Sequence, residues 1–308
     1  MNKFRRNLII ITGPTAIGKT GLAVFIAKSL KTEIISFDSR QFYKEMKIGT
    51  AVPTDEERAE VPHHFIQNLS IHQDYTVGDF EKDALQKLEE LFQKHDTVVM
   101  VGGSGMFEKA VTEGLDEFPE IDKSIREELN QEFENQGIEP LQNELQQVDP
   151  EYFEQVDINN PVRIIRALEI YRGTGKPFSS FRKKQTAPRN FNLIKIGLEL
   201  PREEIYERIN RRVDLMMEEG LLEEVQSLYE FKHLNSLQTV GYKELFDYLD
   251  GKTELDFAVD EIKKNTRRYA KRQLTWYRKD ENIKWFSPFE KDEIWKYVND
   301  KIENSQGN

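Results

Sequence analysis

The sequence has no cysteine, which excludes disulfides, cysteine-ligated zinc, iron–sulfur clusters and thiol nucleophiles. It also lacks any apolar run approaching the ~18–20 residues that a membrane helix needs. Nor is there a surplus of positive charge: 44 Lys and Arg stand against 55 Asp and Glu, a formal net charge of −11. That rules out a uniformly basic coat for nucleic acid, though not a local basic patch. Internal repeats and low-complexity tracts are absent as well. The 308 residues suffice for one large or two modest domains at roughly 150 residues each. Residues 1–6 followed by the apolar Leu8–Thr12 imitate a signal peptide, but that stretch is short and runs straight into a glycine-rich turn. It reads as a buried strand, and the expectation is a soluble cytoplasmic protein without a membrane partner.

What is present alternates between strand and helix. The β-branched run Leu8–Thr12 suits a parallel strand covered on both faces. Leu22, Phe25, Ile26 and Leu30 then have helical spacing. Further buried strands are read at Glu33–Phe37, ending at Asp38, and at Thr97–Val101, ending in Gly102-Gly103, after an amphipathic helix from about Val77 to Lys94. This order predicts an α/β fold, a doubly wound parallel sheet with ligands at the strands' carboxyl ends. Phe118–Pro161 is helix-like and acidic, with twelve Asp/Glu against Lys123 and Arg126. Arg163–Arg189 reverses this, with eight Arg/Lys and only Glu169. Phe191–Leu200 reads as a strand returning to the sheet. The expected organisation is a phosphate-loop core of 1–117 and 191–308, with an inserted, mainly helical domain at 118–190. A helical C-terminal region follows, with helices near Arg202–Glu218, Leu221–Phe231, Tyr242–Leu249 and Phe257–Lys279.

Gly13, Pro14, Thr15, Ala16, Ile17, Gly18, Lys19 and Thr20 fit the phosphate-loop (ATP-binding) pattern between a strand and a helix. Backbone N–H groups there cradle a polyphosphate at a helix N-terminus, Lys19 adds a point charge, and Thr20 can hold Mg²⁺ directly or through water. ATPases and GTPases usually add a Mg²⁺-binding carboxylate at a second strand end. Here Thr97–Val101 ends in Gly-Gly-Ser, and the only core carboxylate read beside the loop is Asp38, which could serve as catalytic base, Mg²⁺ ligand or helix cap. Ile262–Lys279 carries eight Arg/Lys and no acid, with Tyr269, Trp276 and Tyr277 interleaved. In an acidic protein this suggests a phosphate-tracking face, with the aromatics mostly packed inward. Arg163 and Arg166 could grip RNA or pair with the acidic part of the insertion. His63 and His64 would point to opposite faces of a strand, and no third ligand is visible, which argues against zinc.

Several motifs together resemble the tRNA dimethylallyltransferases (tRNA isopentenyltransferases). They are the phosphate loop, Asp38-Ser39-Arg40-Gln41, Ile48-Gly-Thr-Ala51, Val61-Pro-His-His64, Gly102-Gly-Ser104-Gly105 and Arg163-Ile-Ile-Arg166-Ala-Leu-Glu169. The series continues through Pro201-Arg-Glu-Glu-Ile-Tyr-Glu-Arg208-Ile-Asn-Arg-Arg212-Val-Asp214 and Gln238-Thr-Val-Gly-Tyr-Lys243, and ends with Thr266-Arg-Arg-Tyr-Ala-Lys271-Arg272-Gln-Leu-Thr-Trp-Tyr-Arg278. The likeness covers nearly the whole chain, and the cysteine-free tail resembles the bacterial form. Departures are Val52 where the family commonly has lysine, Ser104 for threonine, Phe107 for tyrosine and Ile158-Asn159-Asn160 for Pro-Asn-Asp.

The resemblance implies transfer of a dimethylallyl group from its diphosphate to N6 of the adenosine immediately 3′ of the anticodon. Arg208 and Arg212, four apart and so on one helical face, would join the loop at the diphosphate. Asp38 would orient the amine and take its proton as the C–N bond forms. RNA contacts would come from Asp38–Gln41, Ser104, Arg126, Arg163, Arg166, Gln238, Lys243, Lys271, Arg272 and Arg278. The implied partners are a tRNA anticodon stem-loop and dimethylallyl diphosphate, with Mg²⁺ as cofactor and a monomeric enzyme. The residues alone leave open a phosphate-loop kinase of small molecules, a non-catalytic RNA-binding protein and an isopentenyltransferase of free adenine nucleotides.

Overall fold

The computed structural model describes residues 6–182 and 188–306. The signal-like residues 1–5, and Lys183 and Lys184 of the basic stretch, lie outside them. Six strands, β1 (Asn7–Thr12), β2 (Ile34–Ser36), β3 (His63–His64), β4 (Thr97–Val101), β5 (Asn192–Leu198) and β6 (Lys284–Phe286), form one sheet in the order β3-β2-β4-β1-β5-β6. Every pair is parallel; Ile9 of β1 lies opposite Val99 of β4 and Ile194 of β5. Alternate residues of each strand feed opposite faces. Ile9, Ile11, Val99, Ile194 and Ile196 pack with α1 (Lys19–Leu30), whereas Leu8, Ile10, Ile35, Val98 and Met100 pack on the other side. This two-sided burial is why the strands read as continuous apolar runs.

After β2 come the short α2 (Asp55–Glu60) and α3 (Val77–Leu91), and after β4 comes α4 (Gly105–Glu113). A unit spanning Gly114–Ala187 is compact in itself. It contains α5 (Lys123–Gln136), α6 (Glu139–Val148), α7 (Pro150–Phe153) and α8 (Pro161–Thr174), packed around Leu129, Leu141, Leu145, Ile164 and Leu168. The limits expected from sequence, 118–190, enclose the same four helices. Within this unit, Arg172 bridges Glu132 (2.7 Å) and Glu144 (2.5 Å).

The remainder of the chain forms the core unit. After β5 it adds α9 (Arg202–Glu218), α10 (Leu221–Ser227), α11 (Tyr242–Leu249), α12 (Leu255–Tyr277) and α13 (Lys291–Gln306). The single helix expected over Leu221–Phe231 is instead α10 followed by a separate turn of 3₁₀ helix at Tyr229–Phe231. The edge strands β3 and β6 and the helices α2 and α13 were not legible in the apolar pattern. The edge strands have only two and three residues. Among the described residues, no helix is long and apolar enough to cross a membrane.

Lys195, an interior position of β5 only 5% exposed, ties two site-bearing elements to the sheet. Its Nζ lies 2.8 Å from Glu108 Oε1 of α4 and 2.7 Å from Asp280 Oδ2, just past α12. Burial opposes the lysine's charge, but the two carboxylates outweigh it and raise its pKa. For Glu108 burial dominates, and its pKa is raised despite the lysine. Lys195→Met leaves buried carboxylate charge without its partner, so unfolding free energy at pH 7 should fall by about 3–5 kcal/mol. A raised carboxyl pKa makes the neutral form accessible on mild acidification, so the deficit relative to wild type should shrink between pH 7 and pH 5. Urea titrations at both pH values check this; an equal deficit at both would show that the charge of Glu108 is not its source.

Candidate active site

Parallel strands deliver their carboxyl ends to one edge, and three of those ends build the site. The loop after β1 carries Gly13–Thr20, the turn after β2 carries Asp38–Gln41, and β4 runs into Gly102–Ser104. A cavity of about 310 Å³ is lined by Thr15–Gly21, Ser36, Asp38, Gln41, Thr50, Ala51, Glu57, His63 and Arg212, among others. A second, of about 470 Å³, is lined by Asp38, Ser39, Arg40, Gln238, Lys243, Tyr269 and Arg272, among others. Thr15, Asp38, Thr50 and Arg212 line both, so the two cavities meet at Asp38.

The first cavity brings two buried cations, Lys19 and Arg212, beside Asp38. Lys19 donates from Nζ to the carbonyls of Gly13 (3.1 Å) and Pro14 (2.8 Å), and burial lowers its pKa to about 8, with Asp38 pulling upward and Arg212 downward. Burial likewise lowers the pKa of Arg212, again offset by Asp38. Arg212 donates from Nη2 to Thr15 Oγ1 (2.5 Å), while its buried Nε finds no protein partner. A desolvated guanidinium with an unsatisfied donor is suited to receive an anion. Arg208, one turn earlier, donates to the carbonyl of Ile17 (3.3 Å) and lies over the Phe289 ring; its place is against the loop rather than among the cavity-lining residues.

Around Asp38 the turn is held by its own side chains. Asp38 Oδ1 accepts from the Arg40 amide (3.2 Å). Gln41 donates to the carbonyls of Thr50 (3.2 Å) and Ala51 (2.9 Å), and Arg40 donates to those of Asn235 (3.3 Å) and Ser236 (2.9 Å). Ser104 Oγ accepts from the Ser39 amide at 3.2 Å and lies the same distance from the Ser39 hydroxyl. Burial, with the Asp38 charge adding to it, pushes the Tyr269 phenol up to about 12, so it stays protonated. Besides Asp38, the strand-end carboxylate of the sequence reading, Glu57 of the surface helix α2 also lines the first cavity. Its Oε2 is engaged, however, accepting from the Thr54 amide (2.9 Å) in the cap of α2.

Two structural anchors escaped the sequence reading. Gln273 accepts from the Thr15 amide (2.9 Å) and donates to the Gly103 carbonyl (2.9 Å), joining α12 to both glycine loops. Gly103 makes room for it, since a Cβ there would stand 2.2 Å from Gln273 Nε2. A signal existed: Ala258, Ile262, Thr266, Ala270, Gln273 and Tyr277 form the buried stripe of α12, and a glutamine in such a stripe demands partners. Glu224 accepts from the amides of Lys47, Ile48 and Gly49 (2.9, 2.7 and 3.0 Å) and from the Tyr242 hydroxyl (2.6 Å), fixing the loop that leads to Thr50. Nothing in its sequence neighbourhood marks it.

The other expected RNA-contact residues are dispersed. Gln238, Lys243 and Arg272 line the second cavity, Lys271 and Arg272 a groove on the outer face of α12, and Arg278 pairs with Glu199 (3.2 Å). In the inserted unit, Arg126 (3.0 Å) and Arg166 (2.9 Å) share Glu169 Oε2, while Arg163 is exposed. The expectation that the α12 aromatics face inward fails for Trp276, which is 41% exposed. His64 pairs with Glu33 (2.7 Å), whereas His63 lines the first cavity, its pKa lowered by burial. Among the described residues no cluster of three or more His, Cys, Asp or Glu is arranged to hold a metal.

Because the lysine pKa lies near 8 in the free protein, an anion in the first cavity should draw a proton onto Lys19 at alkaline pH. Calorimetric titration with inorganic diphosphate should therefore show uptake approaching one proton at pH 9 and little at pH 7, with weaker binding at the higher pH. Lys19→Met should abolish the uptake. Uptake persisting in that variant would assign the proton to another group.

The family model for IPP transferases matches residues 41–280. A tRNA dimethylallyltransferase of Christiangramia forsetii is 61% identical over 96% of this chain and 98% of its own. The solved tRNA isopentenylpyrophosphate transferase of Bacillus halodurans is 39% identical, covers 98% of both chains and superposes with a TM-score of 0.74. A eukaryotic dimethylallyltransferase described as acting on tRNA is 26% identical over 97% of this chain and 80% of its own, with a TM-score of 0.83. With the family model over 41–280 and relatives of this identity over nearly the whole chain, the chain belongs to the IPP transferase family.

Proposed function

We propose that the protein is a tRNA dimethylallyltransferase, carrying a dimethylallyl group from its diphosphate to N6 of the adenosine 3′-adjacent to the anticodon. The supporting observation is the position of Asp38 in the wall common to two cavities. One cavity is built from a phosphate loop and two desolvated cations; the other opens beside the basic helix α12. On this reading the diphosphate occupies the first, held by the N–H groups of Gly13–Thr20 with Lys19 and Arg212, and with Arg208 supporting the loop. The adenine enters the second, flipped from its stack, between Ser39, Arg40, Gln238 and Lys243, with Gln41 and Ser104 holding the Asp38 turn behind it.

The reaction then proceeds across the shared wall. The N6 lone pair bonds to C1 of the allyl group as the C1–O bond to the diphosphate breaks, and the N6 proton passes to the Asp38 carboxylate. Lys19 and Arg212 receive the charge that develops on the leaving diphosphate. Mg²⁺ would be held by the hydroxyl of Thr20, which lines the first cavity, directly or through water, with phosphate oxygens completing its shell. Bound there, Mg²⁺ would add charge neutralisation at the leaving group. Arg126, Arg163 and Arg166 of the inserted unit, with Lys271, Arg272 and Arg278, supply contacts to the anticodon stem-loop. A monomeric, cytoplasmic enzyme completes the reading.

A product assay with unmodified tRNA, Mg²⁺ and dimethylallyl diphosphate, followed by nucleoside mass analysis, tests it; absence of prenylated adenosine would overturn it. For the chemistry, Asp38→Asn should keep both substrates bound within a few-fold and slow single-turnover transfer by about 10²–10⁴. Recovery of the rate at high Mg²⁺ would make Asp38 a metal ligand instead of a base.

A further inference from the structure

We propose that Trp276, with the basic groove beside it, is a stacking subsite for one unpaired nucleotide neighbouring the target adenosine in the RNA loop. The inference rests on the function proposed above and adds a binding site to it. Three observations carry it. First, Trp276 is 41% exposed on a helix whose Tyr277, the next residue, is 2% exposed, so its indole is presented to solvent by a well-packed scaffold. Secondly, a groove of about 420 Å³ beside it is lined by Arg268, Lys271, Arg272, Thr275 and Lys279 as well as Trp276, without a carboxylate. These residues fall at helical spacing along one face of α12 and its first residues beyond.

Thirdly, the groove leads to the reaction centre. Arg272 lines both this groove and the second cavity, where Asp38 stands. The indole lies against Gly105, where a Cβ would be 2.2 Å from its Nε1; Gly105 follows Ser104, which is hydrogen-bonded to Ser39. Trp276 also lines a further cavity, where Glu108, Glu113, Asp280 and Glu281 stand with Lys109 and Lys279. The groove holds cations without a carboxylate among its described lining residues, whereas that further cavity mixes both signs, so a phosphodiester chain is favoured along the groove. Flipping the target base deprives its neighbour of a stacking partner. An exposed aromatic flanked by cations supplies a replacement that does not depend on base identity.

A hairpin RNA carrying 2-aminopurine beside the target adenosine reads this directly. Binding to wild type should change the probe's emission. Trp276→Leu should abolish that change and weaken affinity by about 5- to 150-fold while leaving the salt dependence intact. Trp276→Phe, which keeps a ring, should retain most of both signals. Lys271→Ala should instead lower the slope of log K against log salt by roughly 0.7–0.9. Unchanged probe emission in wild type, or wild-type affinity in Trp276→Leu, would overturn the subsite. So would equal losses in the Leu and Phe variants, which would reduce Trp276 to support for Gly105. If wild type prenylates the hairpin but the probe stays silent, the subsite alone fails; if it does not prenylate the hairpin, the parent function fails as well.

Discussion

The site depends on keeping two desolvated cations, Lys19 and Arg212, near one carboxylate, Asp38, at the carboxyl edge of the sheet. Burial lowers the pKa of both cations, and Asp38 only partly restores them. Such an arrangement is costly in isolation, because charge taken from water is repaid only by good geometry. Here Lys19 is held by two loop carbonyls and Arg212 by the Thr15 hydroxyl, which leaves unspent attraction directed at the cavity. An anion with several oxygens is the ligand that relieves it. On the function proposed above, the same arrangement serves a leaving diphosphate: donors fixed before the reaction need not reorganise during it.

Holding that geometry is the task of polar anchors outside the cavity. Gln273 takes the Thr15 amide and gives a hydrogen to the Gly103 carbonyl, so a residue of the long basic helix sets the shape of the phosphate loop. Lys195 joins α4 and the segment just past α12 to β5. Glu224 gathers three successive amides of the loop that precedes Thr50. Each anchor joins segments far apart in the chain. The two cavities are therefore not independently adjustable: displacing α12 disturbs Thr15, and Thr15 belongs to both walls.

Legibility in the sequence followed physical cause. β1, β4 and β5 were readable because burial on both faces forces continuous apolar runs, and the phosphate loop was readable because its glycines and lysine are a local requirement. The edge strands β3 and β6 left no run to detect; His63 and His64 pair with β2 through backbone bonds that any side chain permits. Gln273 was partly legible, as a polar residue on a buried stripe. Glu224 was not, since its partners lie about 175 residues earlier in the chain. Glu57 reached the Asp38 cavity through a short helix that carries no buried residue to betray it. Phe107, where the family has tyrosine, packs against Phe42 (5.7 Å) and Phe80 (5.3 Å), an apolar setting in which a ring without a hydroxyl is at home.

An acidic protein that handles RNA must confine its attraction. The net charge of −11 repels a polyanion at long range, so binding has to come from short-range patches. The structure segregates these patches sharply. Along α12 and just past it, Arg268, Lys271, Arg272 and Lys279 line a groove that has no acid among its described lining residues, while the neighbouring cavity mixes four carboxylates with Lys109 and Lys279. In the inserted unit, Glu169 holds Arg126 and Arg166 together through a single oxygen, leaving two cations against one anion. The surplus positive charge at that point is structural rather than mobile, because both guanidinium groups are pinned by the carboxylate they share. Repulsion everywhere else then acts as a filter: a nucleic acid that cannot meet the fixed patches gains nothing from a diffuse surface. Specificity in this chain thus begins with where positive charge is withheld.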